Sequence, residues 1–338
     1  PFAELIAATN FSFLRGASHA HEMVGQAAEL GLAAIGIADR NTLAGVVRAF
    51  EAAKEHKIRL IAGARLVTTE GFEAVCYPTD RAAYGRLCRL LTEGNLRAVK
   101  GQCHFSFEEM LAASEGQILI AIPPRDLSQA FIERLSTLSA AAYGLVYLAA
   151  RFAYRGDERR RLGELDELAA RTRTPLVATT DALFHHPVRR PLAAVLACIR
   201  GKGTIAEAGY RLEANAERHL KPGAEMARLF SAVGGVKRSA APTPRRVERM
   251  AGFDSPLPAR HSRLSVGSSL RSTQPTSAVA RTLEIVERTR FSLDELRYEY
   301  PEEPVPAGKT PQAHLEGLTW AHAQERFPGG IPDRKSVV

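Results

Sequence analysis

Leu32–Asn41, LAAIGIADRN, is the stretch whose reading decides the fold. It is a short apolar run rich in Ile and Ala, preceded by Gly31 and ended by an Asp, an Arg and an Asn. A run so short and so continuously apolar reads as a buried parallel strand, not an amphipathic helix. Parallel α/β proteins collect their chemistry where strands end and loops begin. Asp39 stands at such an end, as a catalytic or metal-binding carboxylate would, and Arg40 follows it directly.

On either side the same alternation repeats. Glu4–Ala8 reads as a first strand, and Ser18 caps a helix over His19–Leu30 that stops at Gly31. Thr42–His56 is helical, Arg59–Ala62 and Phe72–Tyr77 are short strands, and Asp80 caps a helix reaching Thr92. Gln117–Ile122, Gly144–Ala149 and Pro175–Thr179 are further strands, with helices over Asp157–Arg171 and Arg190–Arg200. Strands alternating with helices, without a hairpin signal, predict a mainly parallel α/β architecture. About seven strands with polar residues at their carboxyl ends favour a barrel over an open sheet.

The chain has 338 residues, 45% hydrophobic and 24% charged, ordinary values for a soluble globular protein with ample core. No apolar run approaches the roughly 20 residues of a membrane span. The start, PFAELIAATN, lacks the basic region of a signal peptide and an initiating Met, so a segment cut from a longer cytoplasmic protein is expected. Cys76, Cys88, Cys103 and Cys198 are scattered with no CxxC, as free thiols of a reducing compartment would be. Net charge is +8, but the window Val233–Ser277 carries eight basic residues against Glu248 and Asp254, which leaves the remainder nearly balanced. The charge argument for nucleic acid binding by the folded part is therefore weak. Segment 232–277 is rich in Ser, Pro and Arg and has neither helical nor strand period, so disorder is expected there. Helical order resumes at Ala278–Arg288, and a last amphipathic helix covers Pro311–Arg326.

FAELIAATNFSFLRGASHAHEMV, LGLAAIGIADRNTLAGVVRA, DRAAYGRLCRLLT and RFSLDELRYEYPEEPVP together resemble the amino-terminal part of bacterial C-family DNA polymerases, in the error-prone, damage-associated branch. The likeness implies a polymerase and histidinol phosphatase (PHP) domain over 1–231. This would be a distorted (β/α)7-type barrel, followed by the disordered insert 232–277 and a helical connector, 278–338, towards a polymerase palm. In that family three palm Asp residues hold two Mg ions about 4 Å apart around the attacking and leaving oxygens. The palm would lie beyond this chain, so the parent would be a DNA-directed DNA polymerase of damage-induced mutagenesis and translesion synthesis. DNA, and other damage-response polymerase components, would be its partners, with no membrane. The long basic stretch departs from the family pattern, as an insertion or a reading-frame change, and its lack of periodicity favours the latter.

The resemblance also locates a site. A working PHP centre binds divalent ions through His, Asp and Glu. Its opening HxH falls on Ile6 and Ala8, its Asp-His on Asp39 and Arg40, its Glu on Arg65, and its late Asp-x-His on Asp181 and Leu183. Five ligands are gone and two acids remain, which predicts a degenerate site without metal, cofactor or catalytic residue in this chain. Two carboxylates left in an emptied pocket need a partner. Arg40 and Arg65 are placed to supply it, predicting an Arg-to-carboxylate contact at Asp39 or Asp181. The bland alternative leaves both arginines as exposed charges. His19, His21, His104, His185 and His186 read as loop or helix-end residues. Arg211, Arg218 and Lys221, in YRLEANAERHLKPG, are candidate phosphate contacts for DNA. The opposing function is a stand-alone PHP-type metal-dependent phosphoesterase or nuclease, which the missing ligands disfavour.

Overall fold

A computed structural model of the chain describes residues 1–231, 275–297 and 305–330. Seven strands follow one another around a single sheet in sequence order: β1 (Ala3–Ala7), β2 (Ala34–Arg40), β3 (Arg59–Val67), β4 (Glu73–Pro78), β5 (Gln117–Ala121), β6 (Val146–Arg151) and β7 (Leu176–Thr179). Helices α1 (Ala20–Glu29) and α2 (Val46–His56) connect the first three strands. Helices α3 (Arg81–Leu96) and α4 (Phe107–Ala112) precede β5, α5 (Gln129–Ala141) precedes β6, and α6 (Glu158–Thr172) precedes β7. After β7 come α7 (Arg190–Arg200), the single-turn α8 (Ile205–Ala208), α9 (Gly223–Ser231), α10 (Pro275–Arg288) and α11 (Pro311–Arg326).

The sheet bends round until its edges meet. Just past β7, the Ala182 amide donates to the Ile6 carbonyl (2.8 Å) and the Ala8 amide to the Ala182 carbonyl (2.9 Å). The result is a nearly closed, distorted β/α barrel, as expected from the alternation of elements. Residues alternate along each strand. One set (Leu5, Ile61, Tyr77, Ile120, Tyr147, Val177) fills the interior, and the other (Ile35, Ile37, Leu119, Leu148) packs outward with helix residues such as Met23, Val24 and Leu165.

Three expectations are corrected. Strand β4 runs antiparallel to both β3 and β5, so the barrel does contain a hairpin. Strand β3 continues five residues past Ala62 and turns at Thr68–Gly71, where Gly71 takes φ +80°, a conformation that L side chains resist. The cap of α1 is His19 with Glu22, not Ser18, whose hydroxyl instead bonds His185 Nδ1 at 2.8 Å. Helix α10 does not lead away from the barrel. Ile285 and Val286 join the interior cluster, Thr282 Oγ1 accepts from the Ala3 amide (3.2 Å), and Arg281 donates to the Leu176 carbonyl (3.0 Å). Arg59 adds a bond to the Thr289 carbonyl. Ala3, Arg59 and Leu176 all start strands, so α10 closes the amino-terminal end of the barrel and leaves the carboxyl end as its mouth.

The compact unit thus runs from Pro1 to Glu295. A second unit holds α11, an exposed helix with Thr310 as its cap and Leu315, Leu318 and Trp320 facing solvent. The expected disordered segment lies, up to residue 274, outside the described residues; residues 275–277 already belong to α10.

Candidate functional site

At the carboxyl end of β2, Asp39 is wholly buried. Its Oδ1 accepts from the Thr9 amide (2.7 Å), the Ser12 amide (3.1 Å) and Ser12 Oγ (2.6 Å), and its Oδ2 accepts from Thr9 Oγ1 (2.7 Å). Four neutral donors from the loop after β1 satisfy this carboxylate in place of a cation. Burial raises its pKa, and the Ser12 and Thr9 bonds oppose that rise. Arg40 does not reach it, because successive strand residues point to opposite faces. The Arg40 guanidinium turns to Glu73 Oε1 instead, at 3.4 Å.

The second acid behaves differently. Arg65 lies beside Arg40 in the β2–β3 register, and its fork holds Glu73 of β4 through Nη2 (2.6 Å) and Nε (2.8 Å). Its Nη1 donates to Asp181 Oδ1 at 2.8 Å. Asp181 Oδ2 also accepts from Arg218 (2.5 Å) and Arg151 (3.2 Å), so three guanidiniums converge on one carboxylate. Burial pushes the Asp181 pKa up, but Arg218, Arg65 and Arg151 together outweigh it and hold the group down at about 2. Its backbone sits at φ +51°, the left-handed region, where Asp is tolerated better than most residues. The Thr179 hydroxyl fixes that turn by accepting from the Asp181 amide. Arg218 closes the ring by holding Glu213 at 2.8 Å, which keeps the Glu213 pKa low against its burial.

Of the positions that the resemblance assigns to metal ligands, Ile6 packs into the barrel interior and Ala8 and Leu183 present apolar surface to the mouth. Arg40 and Arg65 place guanidinium groups where an ion's donors would be. Among the described residues no three His, Cys, Asp or Glu side chains converge as a metal cage needs. The residues present therefore do not fit a divalent cluster.

The candidate DNA contacts are likewise engaged inside the fold. Arg218 belongs to the Asp181 cluster. Lys221 is 1% exposed, and its Nζ lies 2.8 Å from both Glu217 Oε2 and His219 Nε2. Neither presents a surface cation to a phosphate. Arg211, among the described residues, bonds the carbonyls of Glu207 and Ala208 and faces the mouth. Sequence reasoning missed Glu73, Arg151, Glu213, Thr9 and Ser12. Arg151 ends β6, so the strand-end rule that found Asp39 could have found it; the loop residues give no such signal.

A barrel with its ionisable groups gathered where parallel strands end is the architecture of the PHP class. The family model described as PHP domain matches residues 5–176, and the chain belongs to that family. An error-prone DNA polymerase from Rhodopseudomonas palustris (strain BisB5) is 47% identical over 339 residues, covering 98% of this chain and 27% of its own length. One from Caulobacter vibrioides is 46% identical over 331 residues, with 98% and 27% covered. The chain thus spans about a quarter of the length of the curated relatives it matches. Among solved structures, an amidohydrolase from Chromobacterium violaceum superposes with a TM-score of 0.43 at 16% identity, over 54% of this chain and 88% of that one.

Proposed function

We propose that this chain is the PHP portion of an error-prone DNA polymerase acting in damage-induced mutagenesis and translesion synthesis. In this reading the barrel is a scaffold that supports the polymerase body, not a hydrolytic centre. It binds no metal of its own, and the parent's Mg ions belong to a palm that the chain does not include. DNA is then the parent's substrate, and the compartment is the cytoplasm.

One observation carries the reading: three guanidiniums converge on Asp181, so the carboxylate has cations of the chain's own beside it where an ion would otherwise sit. The likeness to relatives named error-prone DNA polymerase over 98% of the chain supports the parent's activity. A chimera tests it. Residues 1–297 replace the corresponding part of the Caulobacter vibrioides relative, and ultraviolet-induced mutation frequency is measured in cells lacking their own copy. The expected result is restored mutagenesis that Asp181→Ala abolishes. Restored mutagenesis that is indifferent to Asp181→Ala, or no restoration by a well-expressed chimera, contradicts the proposal.

A further inference from the structure

Helix α7 is the one element after β7 whose sequence and burial disagree. Between Arg190 and Arg200 every residue is apolar, yet Cys198 alone is buried. A helix apolar all round belongs inside a protein. Its small side, Ala193, Ala194 and Ala197, lines the barrel mouth. The opposite side carries Leu192, Val195 and Ile199, with Val188 in the single turn that leads into the helix. These four side chains are 40–70% exposed. Their spacing of four, three and four residues sets them in one row along the helix, about 16 Å long.

The surroundings of this row are one-sided in charge. From His185 to Gly203 the sequence holds Arg189, Arg190, Arg200 and Lys202 and no Asp or Glu. Arg189 is paired with Glu22. Arg200 donates to the Leu14 carbonyl, and among the described residues neither it nor Lys202 forms an ion pair. The first turn of α7 has no acid either, so the positive end of the helix dipole adds to the same field.

That charge pattern selects the occupant. A second copy crossing α7 on α7, in either direction, sets cations against cations, so it is disfavoured. Nucleic acid would meet the cations, but the row is aliphatic and offers bases nothing to stack on. An amphipathic helix fits both features: its apolar ridge packs beside the row, and acids along its flanks face the cations. We propose that the outward face of α7 docks an acidic amphipathic helix of a separate partner protein, with Leu192 and Ile199 as its apolar anchors and Lys202 as a flanking cation. The proposal concerns the outside of the barrel and needs no polymerase activity, so it stands or falls separately from the function proposed above.

Fluorescence anisotropy on the full chain tests it. The probe is a labelled helical peptide of about 18 residues, long enough to cover the row, with Leu at helical spacing on one face and Ala and Glu elsewhere. The expected result is saturable one-to-one binding in the micromolar range that weakens as salt is raised. The same peptide with Lys for every Glu binds at least about tenfold more weakly. Leu192→Ser with Ile199→Ser weakens binding at least about tenfold, as two lost apolar anchors require. Lys202→Glu weakens it and flattens its salt dependence. Leu96→Ser, which removes an exposed leucine at the end of α3, leaves it unchanged. Circular dichroism and melting establish that each variant is folded, which the exposure of these side chains favours. The folded full-length chimera described above binds the peptide as the chain does.

The proposal fails if no saturable binding occurs, if the Lys peptide binds equally well, or if Leu192→Ser with Ile199→Ser has no effect. It fails equally if sedimentation shows a dimer of the chain that those two substitutions dissolve, since a second copy is then the occupant. Binding by the chain but not by the chimera also overturns it, because the parent's own body then covers the face.

Discussion

Removing the Asp181 carboxylate leaves the guanidiniums of Arg65, Arg151 and Arg218 facing one another in a half-enclosed pocket. Breaking a buried charge cluster from one side typically costs 3–5 kcal/mol. Asp181→Ala is therefore expected to lower unfolding free energy by about 3 kcal/mol or more, measured by urea titration; a loss below about 1 kcal/mol would show the cluster to be a solvated surface network. The same residue sets a pH dependence. Its pKa falls from 3.8 to about 2 on folding, so its contribution is present above the ordinary value and disappears as pH drops through the folded one. The shift corresponds to about 2 kcal/mol, and the stability gap between wild type and Asp181→Asn should narrow by that amount between pH 4 and about 2. Asp39 and Glu4 act in the opposite sense. Burial raises both, so their contribution is full below their ordinary values and is lost as pH rises through the folded ones. At residue scale the sequence made the acids legible, because both close an apolar run. It could not show that Asp39 takes hydroxyl and amide donors while Asp181 takes arginines, since those partners arrive from distant loops.

Strands β1, β2, β5, β6 and β7 were legible because a buried parallel strand is apolar on both faces and ends abruptly. The extension of β3 through Arg65 was not. Arg65 interrupts the apolar pattern, and Gly63 is a residue strands avoid. That glycine has a packing role: a Cβ there would lie 2.3 Å from the Cys76 carbonyl oxygen and 2.4 Å from the Tyr77 ring. Tyr77 fills the barrel above it and donates its hydroxyl to the Leu5 carbonyl. Gly63→Ala must displace backbone, and a loss of about 3 kcal/mol is expected from the overpacking, read as a lower melting temperature. Gly71→Ala, which strains only the hairpin turn and has open space around it, should cost about 1 kcal/mol.

At the scale of the whole molecule, the alternation of strands and helices pointed to the barrel, but the return of α10 to it was not legible. Helix α10 follows a long stretch without period, so nothing local tied it back to β1 and β7. It seals the amino-terminal end, and its buried Ile285, Val286 and Ala278 stabilise the barrel by roughly 5 kcal/mol at the usual rate for apolar burial. A chain ending after Ser231 is expected to melt about 10 °C or more below one ending after Arg297. Equal melting temperatures would show that the barrel closes without the helix. The two ends of the barrel thus divide their work: one is plugged by apolar packing, and the other is lined with charge, where in the function proposed above guanidiniums take the place of ions. Dialysis of the purified chain against Mn²⁺ and Zn²⁺, followed by elemental analysis, tests that substitution most directly. No stoichiometric metal is expected in wild type at neutral pH. One or more ions retained per chain, lost on Asp39→Ala or Asp181→Ala, would mean that the mouth is still a metal centre.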